Sequence, residues 1–534
     1  MIKKFTVIGS GVAGANAALT LLEKGHEVEM LDYGKLDSAP LQISQTFQTI
    51  KSDSQLAASF FYGSDLSGIN GPNDTDIFKY PKRRPSISTV NLYNNEENTE
   101  QFQPIFSNCK GGLAVAWGAN SIEFNQDDMI GFGYSKQDIE SSYKVAFKRL
   151  HVSGPVHADD LSDIVNASYS FNSSHDMSSA DKNFIRSAKL KNKYLIKSKN
   201  VLVGQSRLAI DNRLNSNKKC YSCGLCIWGC PSDSIYNPLK TLKDCKKFKN
   251  FSYINNVKVS HLKSDNEAIK YIIDTSGARY EANNVILAAG AINSAIILLK
   301  SFKENKVVNN NVIRSVGLLD TEVIKIPYLS ISKLFKKFTT DKIQFNGLIA
   351  MVKNENKNFP VWTQVELLSL GSLIYHPLLK KIPLGVKNSI LVFNLVKNML
   401  GVATIFLPDK HNDKNYIEMD FSGPIDKVRY SYTSTTEKKV LKEKIIKKLK
   451  NYMRSLGSIM INKLAFEAKN GSGIHYAGTI PIRAKKTRGC VNSNCKSYDF
   501  NNLHIVDGSV FPSLPSKSIT LNIAANSIRV CKKL

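Results

Sequence analysis

The first turn of the chain constrains it most. Lys4 to Ile8 is an apolar strand-like run, followed by Gly9-Ser10-Gly11-Val12-Ala13-Gly14, an Ala/Leu-rich stretch to Lys24 and a second strand-like run, Glu27 to Leu31. In such a strand–turn–helix–strand unit the first glycine permits the tight bend, the second lets backbone approach a pyrophosphate, and the third allows the helix to pack on the strand. The helix N-terminal amides then face the phosphates. Asp32 follows Gly14 by 18 residues (32 − 14) and closes the second strand, where a carboxylate accepts hydrogen bonds from ribose hydroxyls. The unit predicts a Rossmann-like α/β lobe that binds a dinucleotide; this segment alone does not separate FAD from NAD.

The chain has 534 residues, 42% hydrophobic and 22% charged, which excludes wholesale disorder, collagen-like repeats and a disulfide-dense mini-scaffold. At roughly 100 to 200 residues per domain it holds two to four units, or one large enzyme of two interleaved lobes. Lys and Arg number 72 against 45 Asp and Glu, a net charge of +27. Such a surplus attracts phosphates, anionic lipid or acidic substrates, and it reads equally as compositional drift spread along the chain. Without a basic zipper or an aromatic RNA-binding signature, it does not point to nucleic acid. Met1 leads straight into a strand with no apolar signal core, which predicts a cytoplasmic protein. Four of the nine cysteines crowd into residues 220–230, a layout suited to metal or redox chemistry more than to a secreted disulfide framework.

From about Asp37 to Thr99 the sequence is polar and rich in Ser, Asn and Pro, which predicts a loop-rich excursion or lid over 37–100. Val201 to Ser301 ends in an apolar strand and small residues, Asn284 to Gly290, and reads as a return to the nucleotide lobe. Alternating runs between Leu318 and Glu467, such as Val323 to Ser332 and Ile343 to Val352, predict a mostly antiparallel sheet in an α+β lobe that contacts substrate. The expected division is 1–36, 101–130, 196–317 and 468–534 for the first lobe, with a Cys-rich insertion at 218–235, and 131–195 and 318–467 for the second. Glu437 to Leu456 predicts a basic amphipathic surface helix with Val440, Leu441, Ile445, Leu449 and Met453 on its apolar face. Ser389 to Leu407 is apolar but interrupted by Asn394, Lys397 and Asn398. A lysine near mid-bilayer costs about 2.5 to 3.5 kcal/mol on insertion scales, so the segment reads as buried or as a contact with the inner face of an anionic membrane.

Further along, Gly471-Ser472-Gly473-Ile474-His475-Tyr476-Ala477-Gly478-Thr479 and Val506-Asp507-Gly508-Ser509-Val510-Phe511-Pro512 resemble the glucose-methanol-choline (GMC) family of flavin oxidoreductases. Gly111-Gly112-Leu113 through Trp117-Gly118-Ala119 is similar to that family's Gly-rich segment beside the flavin, and Val285 to Ser301 to its strand and helix near the adenosine. The tail Leu514 to Thr520 resembles its last flavin-contacting turn. The resemblance leaves about 37–100 and most of 318–465 uncovered. It implies FAD, contacted by Gly9, Gly11, Gly14, Asp32, Gly111, Gly112, Trp117, Gly118, Ala119, Val257, Ala289, Gly290, Asp507, Gly508 and Thr520. It also implies that His475 takes the proton of a CH–OH group of a sugar, polyol or related alcohol while hydride passes to the flavin, a role suited to imidazole. The other histidines, among them His26, His261 and His504, read as packing residues.

Ser518 departs from the family, which places Asn or His at this second active-site position; a hydroxyl still donates or accepts but cannot share a proton as imidazole does. Asn522, one helical turn on, is a candidate substitute. Asp507 reads as cofactor-proximal or as a helix cap. Cys220, Cys223, Cys226 and Cys230-Pro231 reproduce the ferredoxin run C-x2-C-x2-C-x3-C-P. Iron–sulfur ligation, a zinc or other structural metal, and metal-free cysteines all remain open for it. Cys490 and Cys495 read as surface-turn residues, Cys109 and Cys531 as packed. Electrons would leave for oxygen, a quinone or a redox partner. The rival expectation is an electron-transfer or redox-sensing flavoprotein that uses the cysteine run and has lost alcohol oxidation.

Overall fold

The computed structural model describes residues 1–35, 102–107, 109–115, 117–165, 174–194, 200–226, 230–331, 346–369, 383–396 and 399–534, with isolated residues between 44 and 60. The excursion expected at 37–100 lies almost wholly outside the described residues. In chain order the elements that build the two layers are β1 (Lys4–Ile8), α1 (Val12–Glu23), β2 (Glu27–Leu31), α2 (Lys136–Leu150), β3 (Val201–Gln205), β4 (Phe251–Ile254), β5 (Asn284–Leu287) and α3 (Ala291–Glu304). They continue with β6 (Glu322–Ser330), β7 (Leu348–Lys353), β8 (Trp362–Ser369), α4 (Val386–Val396), β9 (Leu400–Leu407), α5 (Thr436–Ser455), β10 (Ser458–Met460), β11 (Leu503–Ile505) and α6 (Thr520–Lys533).

The first sheet has the order β11-β5-β1-β2-β4, and every pair in it is parallel. Parallel strands are covered by helices on both faces and read as continuous apolar runs, which explains why Phe5, Val7 and Ile8 are all buried rather than alternating. α1 covers this sheet with small side chains, Ala13, Ala15, Ala17 and Ala18, all buried, and it packs on α6, which in turn packs on α2.

The second sheet runs β10-β6-β9-β8-β7-β3, antiparallel throughout. Period-two alternation assigns its two faces. On β6, Ile324, Ile326 and Tyr328 point one way, joined by Ala403, Ile405 and Leu407 of β9 and by Val365 and Leu367 of β8. They form a core with Leu441, Ile445, Leu449, Tyr452 and Met453 of α5. The opposite face carries Val323, Lys325, Gln364, Glu366, Leu368, Val402, Thr404 and Phe406, and all of these line one cavity.

The elements at both ends of the chain stand where the sequence puts them. β3 does not: read from sequence with the nucleotide lobe, it pairs with β7 in the second sheet, Val203 against Ala350. On α5, Val440 is exposed, whereas Lys438 is buried with the apolar residues. The apolar stretch at 389–407 divides into the end of α4 and β9. Among the described residues no helix is long and apolar enough to cross a membrane.

Candidate active site

The cavity lies where the two layers meet. One end is formed by Gly9, Ser10, Gly11, Val12 and Asp32, the other by the polar face of the second sheet, with His475 and Ser518 between. Its floor at the first end is possible only with glycine. An ideal Cβ at Gly14 would stand 1.9 Å from the Gly9 carbonyl oxygen, and one at Gly9, where φ is +97°, would stand 2.6 Å from the Ala288 oxygen. The turn therefore brings α1 against β1 with its N-terminal amides facing open space, the arrangement that receives phosphate.

Asp32, at the end of β2, accepts from Ser10 N (3.1 Å), Ser10 Oγ (2.5 Å) and Tyr253 Oη (2.7 Å). A carboxylate offers about four acceptor sites, so capacity for a further hydroxyl remains. Ser10 Oγ also accepts from Gly111 N at 2.8 Å, tying the second glycine-rich segment to the first. Gly112, Trp117, Gly118, Val257, Ala289, Gly290, Asp507, Gly508 and Thr520 line the cavity, whereas Gly14, Gly111 and Ala119 stand behind its wall as turn and packing residues. Asp507 does cap the short helix that follows, through Ser509 N at 2.9 Å, but it also takes Gly290 N at 2.9 Å and Ser294 Oγ at 2.5 Å. Burial raises its carboxyl above the usual range, and these donors hold the N-terminus of α3 at the cavity edge.

His475 follows Ile474, a β-branched residue at φ +62°. That conformation is an outlier for such a side chain and is held only by surrounding structure. Gly471 N donates to Asp320 Oδ2 at 2.6 Å, Tyr476 Oη donates to the Gly471 carbonyl, and the strand pair Leu319–Asp320 with Tyr476–Ala477 closes the loop. The imidazole then stacks on Phe406, with ring centroids 5.9 Å apart and planes at 28°.

Ser518 is presented by a turn fixed at the two preceding residues. Gln364 N donates to Ser516 Oγ at 3.1 Å, and the fully buried Lys517 pairs with Asp128. Asn522 is not available as its substitute. Its amide donates to the carbonyls of Ile122 and Ser518, both at 2.9 Å, and its oxygen accepts from Phe124 N and Tyr143 Oη.

The sequence missed the other wall: Asn120, Lys325, Asn346, Gln364, Glu366 and Thr404. Lys325, Thr404 and Glu366 stand in register across β6, β9 and β8, and Asn120 Nδ2 donates to Glu366 at 2.6 Å. The available signal was a lone polar residue inside each otherwise apolar strand, Lys325 in β6 and Thr404 in β9, with Gln364 and Glu366 at alternate positions of β8.

The four cysteines of the ferredoxin-like run do not join this cavity. Among the described residues, which omit 227–229, no group of three or more His, Cys, Asp or Glu is placed to hold a metal ion. The Cys220 and Cys230 sulfurs accept from Ser222 N and Ser234 N, at 3.4 and 3.3 Å. Burial pushes the Cys220 thiol up to about 11 and raises that of Cys223. The expectation of an iron–sulfur cluster finds no support among the described residues. Cys490 and Cys495, read as surface residues, are fully buried; the Cys495 sulfur meets Arg529 and Asn526 of α6, which fold the turn inward.

Residues 429–527 match the model of the GMC oxidoreductase C-terminal segment. No curated protein matches the sequence. The fold is similar to that of the crystal structure of pyridoxine 4-oxidase from Mesorbium loti, with a TM-score of 0.58 and 12% identity over 99% of this chain and 98% of that one. The resemblance to the GMC oxidoreductases is thus borne out by the C-terminal match, which supports an oxidoreductase role, and the solved structure shares the fold.

Proposed function

We propose that the protein is an FAD-dependent oxidoreductase that oxidises a CH–OH group of a sugar, polyol or related alcohol, with His475 as general base. The observation that carries this reading is a single cavity whose lining joins Gly9, Gly11 and Asp32 at one end, Gly290, Asp507, Gly508 and His475 between, and the polar residues of the second sheet at the other end. The groove suits a dinucleotide: Gly9 and Gly11 line it without side chains, Gly14 lets α1 pack close on the turn, and the helix N-terminus faces the phosphate position. FAD held along these residues would supply the hydride acceptor.

The remaining steps belong to the chain. Glu366, Gln364, Asn346 and Thr404 line the far wall and would bind the hydroxyls of the alcohol, orienting the carbinol toward His475. The imidazole would hold the carbinol proton, a contribution of about 10²- to 10⁴-fold when the base is well placed. Ser518, across the same cavity, would hydrogen-bond the substrate oxygen and keep it aligned. Phe406, stacked on His475, would exclude water from one face of the ring.

The test is anaerobic mixing of the flavin-loaded protein with a panel of sugars, polyols and simple alcohols. Bleaching of the flavin absorbance by at least one of them, lost in His475→Ala, is the expected result. Full flavin loading with no bleaching by any alcohol would overturn alcohol oxidation and leave a flavoprotein of another kind.

A further inference from the structure

We propose that α4 docks the protein onto an anionic lipid surface. The helix is buried on one side through Ser389 and Phe393, one turn apart, at 5% and 3% exposure. On the other side it presents Leu391 and Leu395, also one turn apart, at 65% and 72% exposure, with Ile390 at 45% and Leu384 at 50% beside them. A surface helix ordinarily turns polar residues outward. Large aliphatic side chains grouped on the outer face mark a contact surface.

Charge identifies the partner. Lys380, Lys381, Lys387 and Lys397 lie within or beside the helix in sequence, and no Asp or Glu occurs between Glu366 and Asp409. Exposed leucines with Lys387 one turn before Leu391, in a stretch of sequence that has no carboxylate, match a lipid interface. The apolar side chains enter the acyl boundary while the lysines meet the phosphates of anionic headgroups. A second copy is the poorer fit, because a two-fold contact would bring two positively charged, carboxylate-free helices together. Spanning is not at issue, since α4 has 11 residues and would rise only about 16 Å.

The position of the helix adds to this. α4 enters β9 at Leu400, and Gly401 pairs with Ser369 at the end of β8. The next pair, Leu368 with Val402, lines the cavity. Docking through α4 therefore sets the sheet end that forms the cavity wall next to the lipid surface.

The experiment is co-sedimentation of the full-length, flavin-loaded protein with phosphatidylcholine vesicles, with and without phosphatidylglycerol. Binding is expected only with phosphatidylglycerol, weakening with salt. It should fall about tenfold or more in the double variant Leu391→Glu, Leu395→Glu and fall in Lys387→Glu, while both variants keep the wild-type circular dichroism and flavin content. Wild-type protein that fails to bind the anionic vesicles would overturn the proposal, as would equal binding by the double variant. Size-exclusion profiles without lipid that change from dimer to monomer in the double variant would assign the face to a second copy instead.

Discussion

Asp320 accepts the backbone amide of Gly471 at 2.6 Å, and through it a buried charge cluster holds the loop that carries His475. Asp320 N donates to Asp409 Oδ2 at 3.0 Å. Asp409 lies 3.3 Å from Nζ of Lys438, a buried residue of α5 that also reaches Glu322 at 3.1 Å. Because Ile474 is kept at a positive φ, the loop relaxes if its anchor is lost. Asp320→Ala is expected to lower stability by about 1.5 to 3 kcal/mol, the scale of a hydrogen bond to a charged group. It should lower kcat by about ten- to a hundredfold through misplacement of the imidazole, with little change in KM. Urea titration and steady-state kinetics check both parts, and an unchanged kcat in the folded variant removes Asp320 from the positioning of His475.

His475→Ala should retain flavin, because the cofactor groove is built from other residues. The rate of flavin reduction by a good alcohol substrate should drop about 10²- to 10⁴-fold. Stopped-flow mixing reads this directly, and a rate within threefold of wild type, on the order of 0.6 kcal/mol, means that another group takes the proton.

Gly14→Ala tests the cofactor groove by sterics alone. The added methyl would meet the Gly9 oxygen at 1.9 Å and the Ala288 Cβ at 3.3 Å, so α1 must move away from β1. The expected result is protein purified with a flavin-to-protein ratio reduced about tenfold or more, and full occupancy in this variant contradicts the assignment of the turn.

How much of this was legible in the sequence depended on whether the information was local. The βαβ unit was, because strand, glycine turn and helix follow one another within 31 residues and Gly9 and Gly14 are each demanded by a backbone contact. His475 and Asp507 were readable only because their surrounding segments resemble a known family. Glu366 and Lys325 were not readable, since their meeting depends on the register of β6, β9 and β8, strands far apart in sequence. The inward folding of Cys495 was hidden for a similar reason: it depends on Asn526 and Arg529 of α6, some 30 residues later. For the cysteine run, spacing alone suggested a cluster, yet among the described residues, which omit 227–229, no group of side chains is placed to hold a metal ion.

Glu366 should govern affinity rather than chemistry. It stands on the wall opposite the cofactor groove, held by Asn120 at 2.6 Å. Glu366→Gln keeps the shape but replaces a carboxylate acceptor by a weaker one. KM for a polyhydroxylated substrate is expected to rise about tenfold, roughly 1.4 kcal/mol, with kcat and flavin content close to wild type. A fall in kcat at constant KM would instead put Glu366 in contact with the reacting carbinol.

The acid side of the stability profile should follow His175. Burial, reinforced by the positive charge of Arg207, pushes this imidazole down to about 4, while in the unfolded chain it titrates near 6.5. Between those values the unfolded chain binds the extra proton and the native state does not, so the native state loses stability as pH falls through this window. The loss attributable to His175 is about 2 kcal/mol by pH 5 and about 3 kcal/mol by pH 4. It ceases below the folded-state value, where both states carry the proton. His504, also lowered to about 4 by burial, acts in the same direction. Urea midpoints measured from pH 7 to pH 4 should therefore decline for the wild type and decline less steeply for His175→Gln, which cannot bind the proton in either state. Parallel declines in the two proteins would show that His175 is solvated or partnered in the native state, and would assign the acid limb to other groups.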